Sequence, residues 1–600
     1  MQPSYSKYFN KMYLTSTTNT PKVPGKIVIR KKGNCSYVLY EIERVYDSKR
    51  QFNVPKRVIV GKIVPDTDDA LMIPNERFSE FFPDRTLEHL AVAPLRSSTL
   101  RVGSFIAFSK IIKEYELRGL LEQVFRDQNG LLLDLVLYMI VTEDNAGQYY
   151  PEYARCHPLF TNEMKILGDS SVSKFLQNVS RDQITTFMDL WNARLDHRQR
   201  IYVSYDSTNK NSQAGAIDLM EFGKAKVDEG VPVLNLALAF DKTNQIPLFY
   251  ELYPGSVNDV SQLKQMVDKI VAYNYRSLGI IIDRGYFSRT NLEYMDSLGI
   301  NFLIMIKGCR KQICEVVEQT RGTFETKNSC RLPGTGISGT TVKRMLYADD
   351  GKVRYFHLFF DSMKMASERE ELETMIENMT QELKDADGCE KEWGQLYTKF
   401  FNLHFDETAP KPSHLLFAEA KDDVIERELQ LCGYFCLVSS EKMTAEQAYR
   451  LYRGRDISEK LFRADKSFLD SGSQRVHSRN SLETKIFIGF VALIIRNRFY
   501  NLLKEELRRL NVRKNYMTVP AALKELEKIE MTRVNGGKYL LEYALTRNQK
   551  QIFQALGLSQ EDVLTYIQKI AAELKLAKDK PAEAEKDGDD SAQTENRCIN

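Results

Sequence analysis

Cysteine, histidine and tryptophan are scarce in this chain: nine, seven and two in 600 residues. The closest cysteine pairs, Cys309 with Cys314 and Cys432 with Cys436, have no second pair or histidine at zinc-site spacing. A cysteine–histidine zinc site is therefore not expected, and the thiols read as reduced and structural. The histidines are too dispersed to define a metal site. No Walker loop or dinucleotide glycine motif occurs, so nothing points to ATP or NAD. No apolar run reaches the roughly 18 residues of a membrane span. The longest strong one, Ile486 to Ile495, reads as part of an amphipathic helix. The opening residues, Met1 to Ser6, lack an apolar signal core, so a cytoplasmic location and no membrane partner are expected.

What is present is a globular composition, 43% hydrophobic and 28% charged, on a chain long enough for several domains. The net charge is only +3, but it is unevenly spread. Residues 1–62 hold 13 Lys or Arg against three acids, and residues 474–514 hold ten against three. Such local excess either solubilises a surface or attracts phosphate backbones.

Two aspartates stand out. In Ile201 to Thr208, Ile201, Val203 and Tyr205 alternate with Tyr202 and Ser204, the period of a strand, which is expected to end on Asp206. In Leu278 to Ser288, Ile280 to Ile282 form a short apolar run, as a strand buried on both faces would. That strand is expected to end on Asp283, before a turn at Gly285 and a helix capped by Ser288 that carries Leu292 and Met295. Open α/β sheets place their chemistry at the carboxyl ends of strands. Taken singly, a strand-terminal aspartate is more often a turn or cap residue.

A third group joins them. Tyr452, Arg455, Glu459 and Lys466 are separated by two, three and six residues. At about 100° per residue on a single helix, the four side chains fall within roughly 60° of one another. A phenol, a guanidinium, a carboxylate and an ammonium would then share one face. That face is either solvated charge or a place to hold a polyanion beside a metal-binding carboxylate. Three carboxylates without histidine or cysteine suit hard Mg²⁺ or Mn²⁺. Two such ions about 4 Å apart stabilise the attacking and leaving oxygens of an in-line phosphoryl displacement.

At these residues the chain resembles the DDE transposases of bacterial insertion sequences, in the branch marked by a Y-(2)-R-(3)-E-(6)-K signature. Tyr452, Arg455, Glu459 and Lys466 match it at every position. Tyr205 to Thr208 and Asp283 to Ser288 resemble the motifs around that family's two aspartates, and Pro254 to Asp259 a loop after its hairpin. The resemblance implies a ribonuclease-H-like core with catalytic and metal-holding Asp206, Asp283 and Glu459, two Mg²⁺ or Mn²⁺ ions, and phosphate contacts from Tyr452, Arg455 and Lys466. It implies endonuclease cleavage at terminal inverted repeats and joining of 3′-hydroxyls to target DNA. The partners implied are double-stranded DNA and a second copy in a paired-end complex, in the bacterial cytoplasm at the nucleoid. Asp259 matches a family position too, and reads as a structural cap of the helix from Val260 to Val271. The alternatives are a non-catalytic DNA-binding relic and a ribonuclease-H-like nuclease without strand transfer.

The fold class expected is α/β: a ribonuclease-H-like core interrupted by a β-rich insertion, with a β-rich N-terminal module and flanking helical regions. After strand 200–206, a hairpin is expected from Val231 to Phe240 and Ile246 to Leu252, with Pro247 marking an edge or a strand start. Asp206 and Asp283 lie 77 positions apart (283 − 206), but Asp283 and Glu459 lie 176 apart (459 − 283). One helix, one strand and their loops need only about 35 residues. The boundaries expected are a basic β-rich module at 1–95, a helical and possible DNA-binding region at 96–195, core at 196–307, a β-rich insertion at 308–432, core with the signature helix at 433–505, a helical region at 506–577 and a disordered tail at 578–600. Trp393, in the insertion, is a candidate for stacking on a DNA base, against the commoner role of packing in a local core.

Overall fold

The computed structural model describes residues 16–576 apart from positions 33–34, 49, 64–70, 76, 86–87, 90–95, 195–200, 212–216, 224–230, 258, 274, 276–277, 307–310, 348, 350, 386–392, 406–414, 455, 470–475, 513–515 and 534–538. It divides into two units, Met1–Leu95 and Arg96–Asn600.

The first unit is a six-stranded antiparallel sheet. Its strands are β1 (Ser16–Asn19), β2 (Ile27–Lys32), β3 (Cys35–Asp47), β4 (Phe52–Ile63) and β5 (Leu71–Pro74), then, after helix α1 (Phe78–Phe81), β6 (Glu88–His89). They lie in the order β2-β3-β4-β5-β1-β6. β3 and β4 are long because β-branched and aromatic residues recur through both. One face of this hairpin closes on α1, with Val38, Val60 and Met72 around the buried Phe78.

The second unit opens with a short strand, β7 (Thr99–Arg101), and a helical layer. The helices are α2 (Gly103–Glu114), α3 (Leu117–Phe125), α4 (Asn129–Thr142), α5 (Tyr150–Cys156), α6 (Asp169–Asn178) and α7 (Arg181–Arg194). α6 begins at Asp169, with Gly168 in the cap position.

The central sheet follows. Its first part is β8 (Ile201–Asn211), β9 (Val233–Asp241), β10 (Ile246–Pro254), helix α8 (Asp259–Ala272), β11 (Leu278–Ile282), helix α9 (Arg289–Ser297) and β12 (Asn301–Met305). Next come α10 (Lys311–Thr320), β13 (Ile337–Met345), β14 (Val353–Asp361), α11 (Ser362–Asp385), α12 (Gln395–Phe400), β15 (Phe401–Phe405), β16 (Leu415–Ala420) and α13 (Asp422–Leu431). The sheet resumes with β17 (Tyr434–Ser439), followed by α14 (Ala445–Arg453), α15 (Asp456–Phe468) and α16 (Arg479–Arg509). The strand order is β10-β9-β8-β11-β12-β17-β14-β13. β11 runs parallel to both β8 and β12, and the other pairs are antiparallel. β10 is the edge strand, and its ladder shifts register between Pro247 and Phe249. That irregularity suits a proline, which has no N–H to give.

Three expectations need correction. β8 does not end on Asp206 but runs five residues further, because Ser207 to Asn211 pair with β9. The segment 308–432 is not simply β-rich. Its described residues hold four α-helices, one of them 24 residues long, and β13 and β14 extend the central sheet beyond β17. Among its described residues only β15 and β16 form a sheet of their own, next to a satellite core of Met379, Leu383, Phe400, Phe401 and Leu415. Finally, α16 is not amphipathic where it is most apolar. Every residue from Ser481 to Asn497 is buried, and 83% of its most apolar 18-residue window lies inside the protein. Alone among the described helices it is long and apolar enough to cross a membrane, and here it packs on α2, α4, α6 and β10.

The chain closes with α17 (Val519–Leu526), β18 (Glu530–Thr532), β19 (Leu540–Leu541), α18 (Arg547–Ala555) and α19 (Gln560–Leu576). β18 pairs with β7, so the two ends of this unit share a small sheet.

Candidate active site

The two aspartates are brought together by strand register. β8 and β11 pair in parallel up to Tyr205 opposite Ile282. Asp206 is the next residue of β8, and Asp283, still extended, is the first residue after β11, which ends at Ile282 rather than on the aspartate. They stand at one level on neighbouring strands, whose backbones lie about 4.8 Å apart. Alternation puts both on the face opposite Tyr205 and Ile282. That is the face of Ile281, Leu303 and Leu437, and α14 covers it through Ala445 and Ala448.

Each carboxylate is held by its own backbone. Oδ1 of Asp206 accepts from the Ser207 N–H at 2.9 Å, and Oδ1 of Asp283 from the Arg284 N–H at 2.7 Å. Asp283 also caps the single turn of 3-10 helix at Arg284–Tyr286. Ser288 caps α9 by accepting from the Asn291 N–H at 3.1 Å, and Leu292 and Met295 are buried beneath. Both aspartates are half-buried.

Tyr452 reaches this site from α14. Its hydroxyl donates to Oδ1 of Asp283 at 3.2 Å. The expected single helix carrying all four signature residues is, however, two helices. α14 ends at Arg453 with Gly454 as its cap, and α15 begins at Asp456. Tyr452 lies in the last turn of α14, Glu459 in the first turn of α15 and Lys466 in its last. Arg455, at the break, lies outside the described residues, as do the side chains of Glu459 and Asp259. Lys466 is half-buried, seven positions or about 10 Å along the helix from Glu459.

Two contacts that the sequence did not announce fix these helices. Lys242, in the β9–β10 turn, donates through Nζ to the carbonyl oxygens of Arg450 and Leu451 at 2.7 and 2.5 Å. It caps the negative end of the α14 dipole. A Cβ at Gly454 would lie 1.9 Å from Lys242 Cε, so glycine leaves the lysine room. The only sequence signal was Gly454 itself, interrupting a helical pattern. Farther along β8, Lys210 pairs with Asp465 of α15 at 2.5 Å, with both side chains almost wholly buried (1% and 2% exposed). Burial pushes the Lys210 ammonium below its usual range, against the pull of Asp465. A lysine in a polar strand segment gave no hint of this.

Trp393 packs beside the satellite core with its ring edge-on to Tyr397, centroids 4.7 Å apart. Cys432 and Cys436 are free thiols, and Cys309 lies outside the described residues.

The donor set fits a hard cation. Asp206 and Asp283 offer only oxygens, on one face and at one level, and the helix bearing Glu459 is tied to β8 by the Lys210–Asp465 pair. Among the described residues no His, Cys, Asp and Glu form a metal-binding cluster of three or more.

No curated protein matches the chain. Among solved structures it is similar to a piggyBac transposase synaptic complex with hairpin DNA, at 11% identity over 82% of this chain and 79% of that one, with a TM-score of 0.30. It is also similar to the Drosophila P element transposase in a strand transfer complex, at 12% identity over 75% of this chain and 83% of that one, with a TM-score of 0.20. Scores this low carry no argument about a shared fold. The family match is specific to the part of the chain that builds the site: residues 205–495, from the strand of Asp206 to the buried middle of α16, match the family described as the transposase DDE domain.

Proposed function

We propose that this chain is a metal-dependent DNA transposase of the DDE type, acting at the bacterial nucleoid. In this reading it binds terminal inverted repeats, cleaves the transposon ends and joins 3′-hydroxyls to target DNA. The observation that carries the reading is the alignment of Asp206 and Asp283 one step past the last β8–β11 pair, with the Tyr452 hydroxyl on Asp283. The order β10-β9-β8-β11-β12, with β8, β11 and β12 running in one direction, supports a ribonuclease-H-like core.

Asp206, Asp283 and Glu459 would hold Mg²⁺ or Mn²⁺. Bound there, the ions supply Lewis-acid stabilisation of the attacking and leaving oxygens at a scissile phosphate. The chain's own groups do the rest. Tyr452 orients the Asp283 carboxylate through its hydroxyl. Arg455 and Lys466 bring positive charge toward DNA phosphates. Lys242 and Lys210 hold α14 and α15 against the sheet. Two transposon ends call for a second copy, so a dimer on DNA belongs to the proposal. In this reading Trp393, a candidate for base stacking, is taken as a packing residue beside Tyr397.

Glu459→Gln tests the assignment. It should abolish strand cleavage of a labelled duplex carrying the terminal repeat, while binding to the same duplex persists. Cleavage retained in the variant would remove Glu459 from the site. A joining assay on the wild type separates a transposase from a nuclease without strand transfer.

A further inference from the structure

The first unit carries a sheet face that the proposed chemistry does not use. Residues 16–63 contain eleven Lys or Arg and three acids, an excess of eight positive charges in 48 residues. The ladders sort the side chains by face. Ile29 with Val38 and Ile27 with Tyr40 pair on the side that closes over Phe78. On the opposite side Arg30, Tyr37 and Lys62 form one cross-strand row. Farther out, Arg57, Arg44 and Tyr46 follow on that side.

We propose that this outer face of β2, β3 and β4 is a docking surface for duplex DNA. The partner follows from charge, composition and length. Among the described residues of this face four bases, Arg30, Arg44, Arg57 and Lys62, stand against one acid, Glu41; phosphate backbones attract that excess, whereas a second copy of the same face would be repelled. A merely solubilising surface does not need its apolar neighbours: Ile59 is 43% exposed and Tyr46 is 63% exposed. Apolar and aromatic side chains between bases suit the sugars and base edges that lie between phosphates. From Tyr37 to Tyr46 the ribbon runs nine residues, about 30 Å, close to the roughly 34 Å of one duplex turn. Two register irregularities, between Val38 and Leu39 and between Glu41 and Glu43, add twist to the ribbon. Beyond Tyr40, where the pairing with β2 ends, β3 and β4 continue as a two-stranded ribbon, an element that fits the major groove. Glu41 binds both Arg44 and Arg57 at 2.8 and 3.0 Å, which fixes where these guanidinium groups stand.

This surface shares with the proposed function only the expectation that DNA is the partner, and a metal-free assay separates the two. Full-length protein in EDTA is titrated onto a mixed-sequence duplex of roughly four helical turns, between about 50 and 300 mM salt. The triple variant Arg30→Ser, Arg44→Ser, Lys62→Ser should bind at least tenfold more weakly. Its salt slope should fall by nearly three, at about 0.9 per lost phosphate contact. Arg30→Lys with Arg44→Lys should keep the wild-type slope, and Tyr46→Ser, which alters one exposed side chain, should weaken binding with the slope unchanged. Circular dichroism confirms that each variant is folded. Wild-type affinity and slope in the triple variant, or an equal loss in the lysine variant, would overturn the proposal. Loss of DNA binding in the triple variant beside a wild type that binds but never cleaves in Mg²⁺ would support this surface and remove the catalytic reading.

Discussion

Tyr452 and Asp283, 169 positions apart in the chain, meet through a hydrogen bond of 3.2 Å from the phenol to the carboxylate. This contact gives the tyrosine a role distinct from the phosphate contact implied by resemblance, because it acts on a carboxylate proposed to hold metal. A hydrogen bond to a charged group contributes about 1.5–3 kcal/mol. Tyr452→Phe should therefore slow strand cleavage about ten- to a hundredfold while leaving end binding and its salt slope unchanged. Weaker binding with normal cleavage at saturating DNA would return Tyr452 to the phosphate.

The buried pair of Lys210 and Asp465 makes a stability prediction. Lys210→Met strands a buried carboxylate and should cost about 3–5 kcal/mol. Adding Asp465→Leu should recover most of that loss, since an apolar pair of similar size is often neutral. Denaturant unfolding of both single variants and the double variant measures the coupling. Additive losses would mean that the two charges do not depend on each other.

The break between α14 and α15 offers a second cycle. Gly454→Ala places a Cβ where Lys242 now lies, and the lysine must leave the helix end. Lys242→Ala removes the same cap, worth about 1 kcal/mol. The double variant should be no less stable than the worse single variant. Summed losses in thermal unfolding would show that Gly454 matters for another reason.

His357 predicts a pH dependence. It is wholly buried on β14, between β13 and β17, near Thr341 at 2.9 Å and Ser439 at 2.9 Å. Burial pushes its pKa down from 6.5 to about 4. Below about pH 6.5 the unfolded chain takes up a proton that the folded chain refuses. Stability is therefore present above that pH and is lost as pH falls toward 4, by about 3 kcal/mol. Unfolding of the wild type and of His357→Gln from pH 7 to pH 5 tests this. The variant should lack this part of the slope, and identical slopes would contradict the assignment.

What the sequence disclosed and what it hid divide along physical lines. The Ile280–Ile282 run and the Ile201–Tyr205 alternation located both aspartates, because local periodicity records which side chains face a core. The same reading ended β8 too early. Ser207 to Lys210 are polar yet buried, since pairing with β9 and the Asp465 carboxylate satisfies them. Helical spacing was carried through Gly454 because nothing nearby in sequence announces Lys242. The β-rich character expected of 308–432 covers β13 and β14, but their place beside β17 depends on contacts far apart in the chain. α16 looked two-faced because Glu483, Lys485 and Arg496 interrupt its apolar residues, and these charges are themselves buried.

The phosphate contacts are testable at Lys466. Lys466→Ala should weaken binding to the terminal repeat modestly and lower the salt slope by about one. An unchanged slope would place its ammonium away from DNA.

Asp206 and Asp283 are proposed to form one metal-dependent site. Its most direct test is cleavage of a labelled duplex carrying the element's terminal repeat, in Mg²⁺, in Mn²⁺ and in EDTA, with wild type, Asp206→Asn and Asp283→Asn side by side. Nicking at the repeat boundary is expected from the wild type in either metal, with none in EDTA and none by either variant. Cleavage by either variant at the wild-type rate, or by the wild type in EDTA, would contradict it.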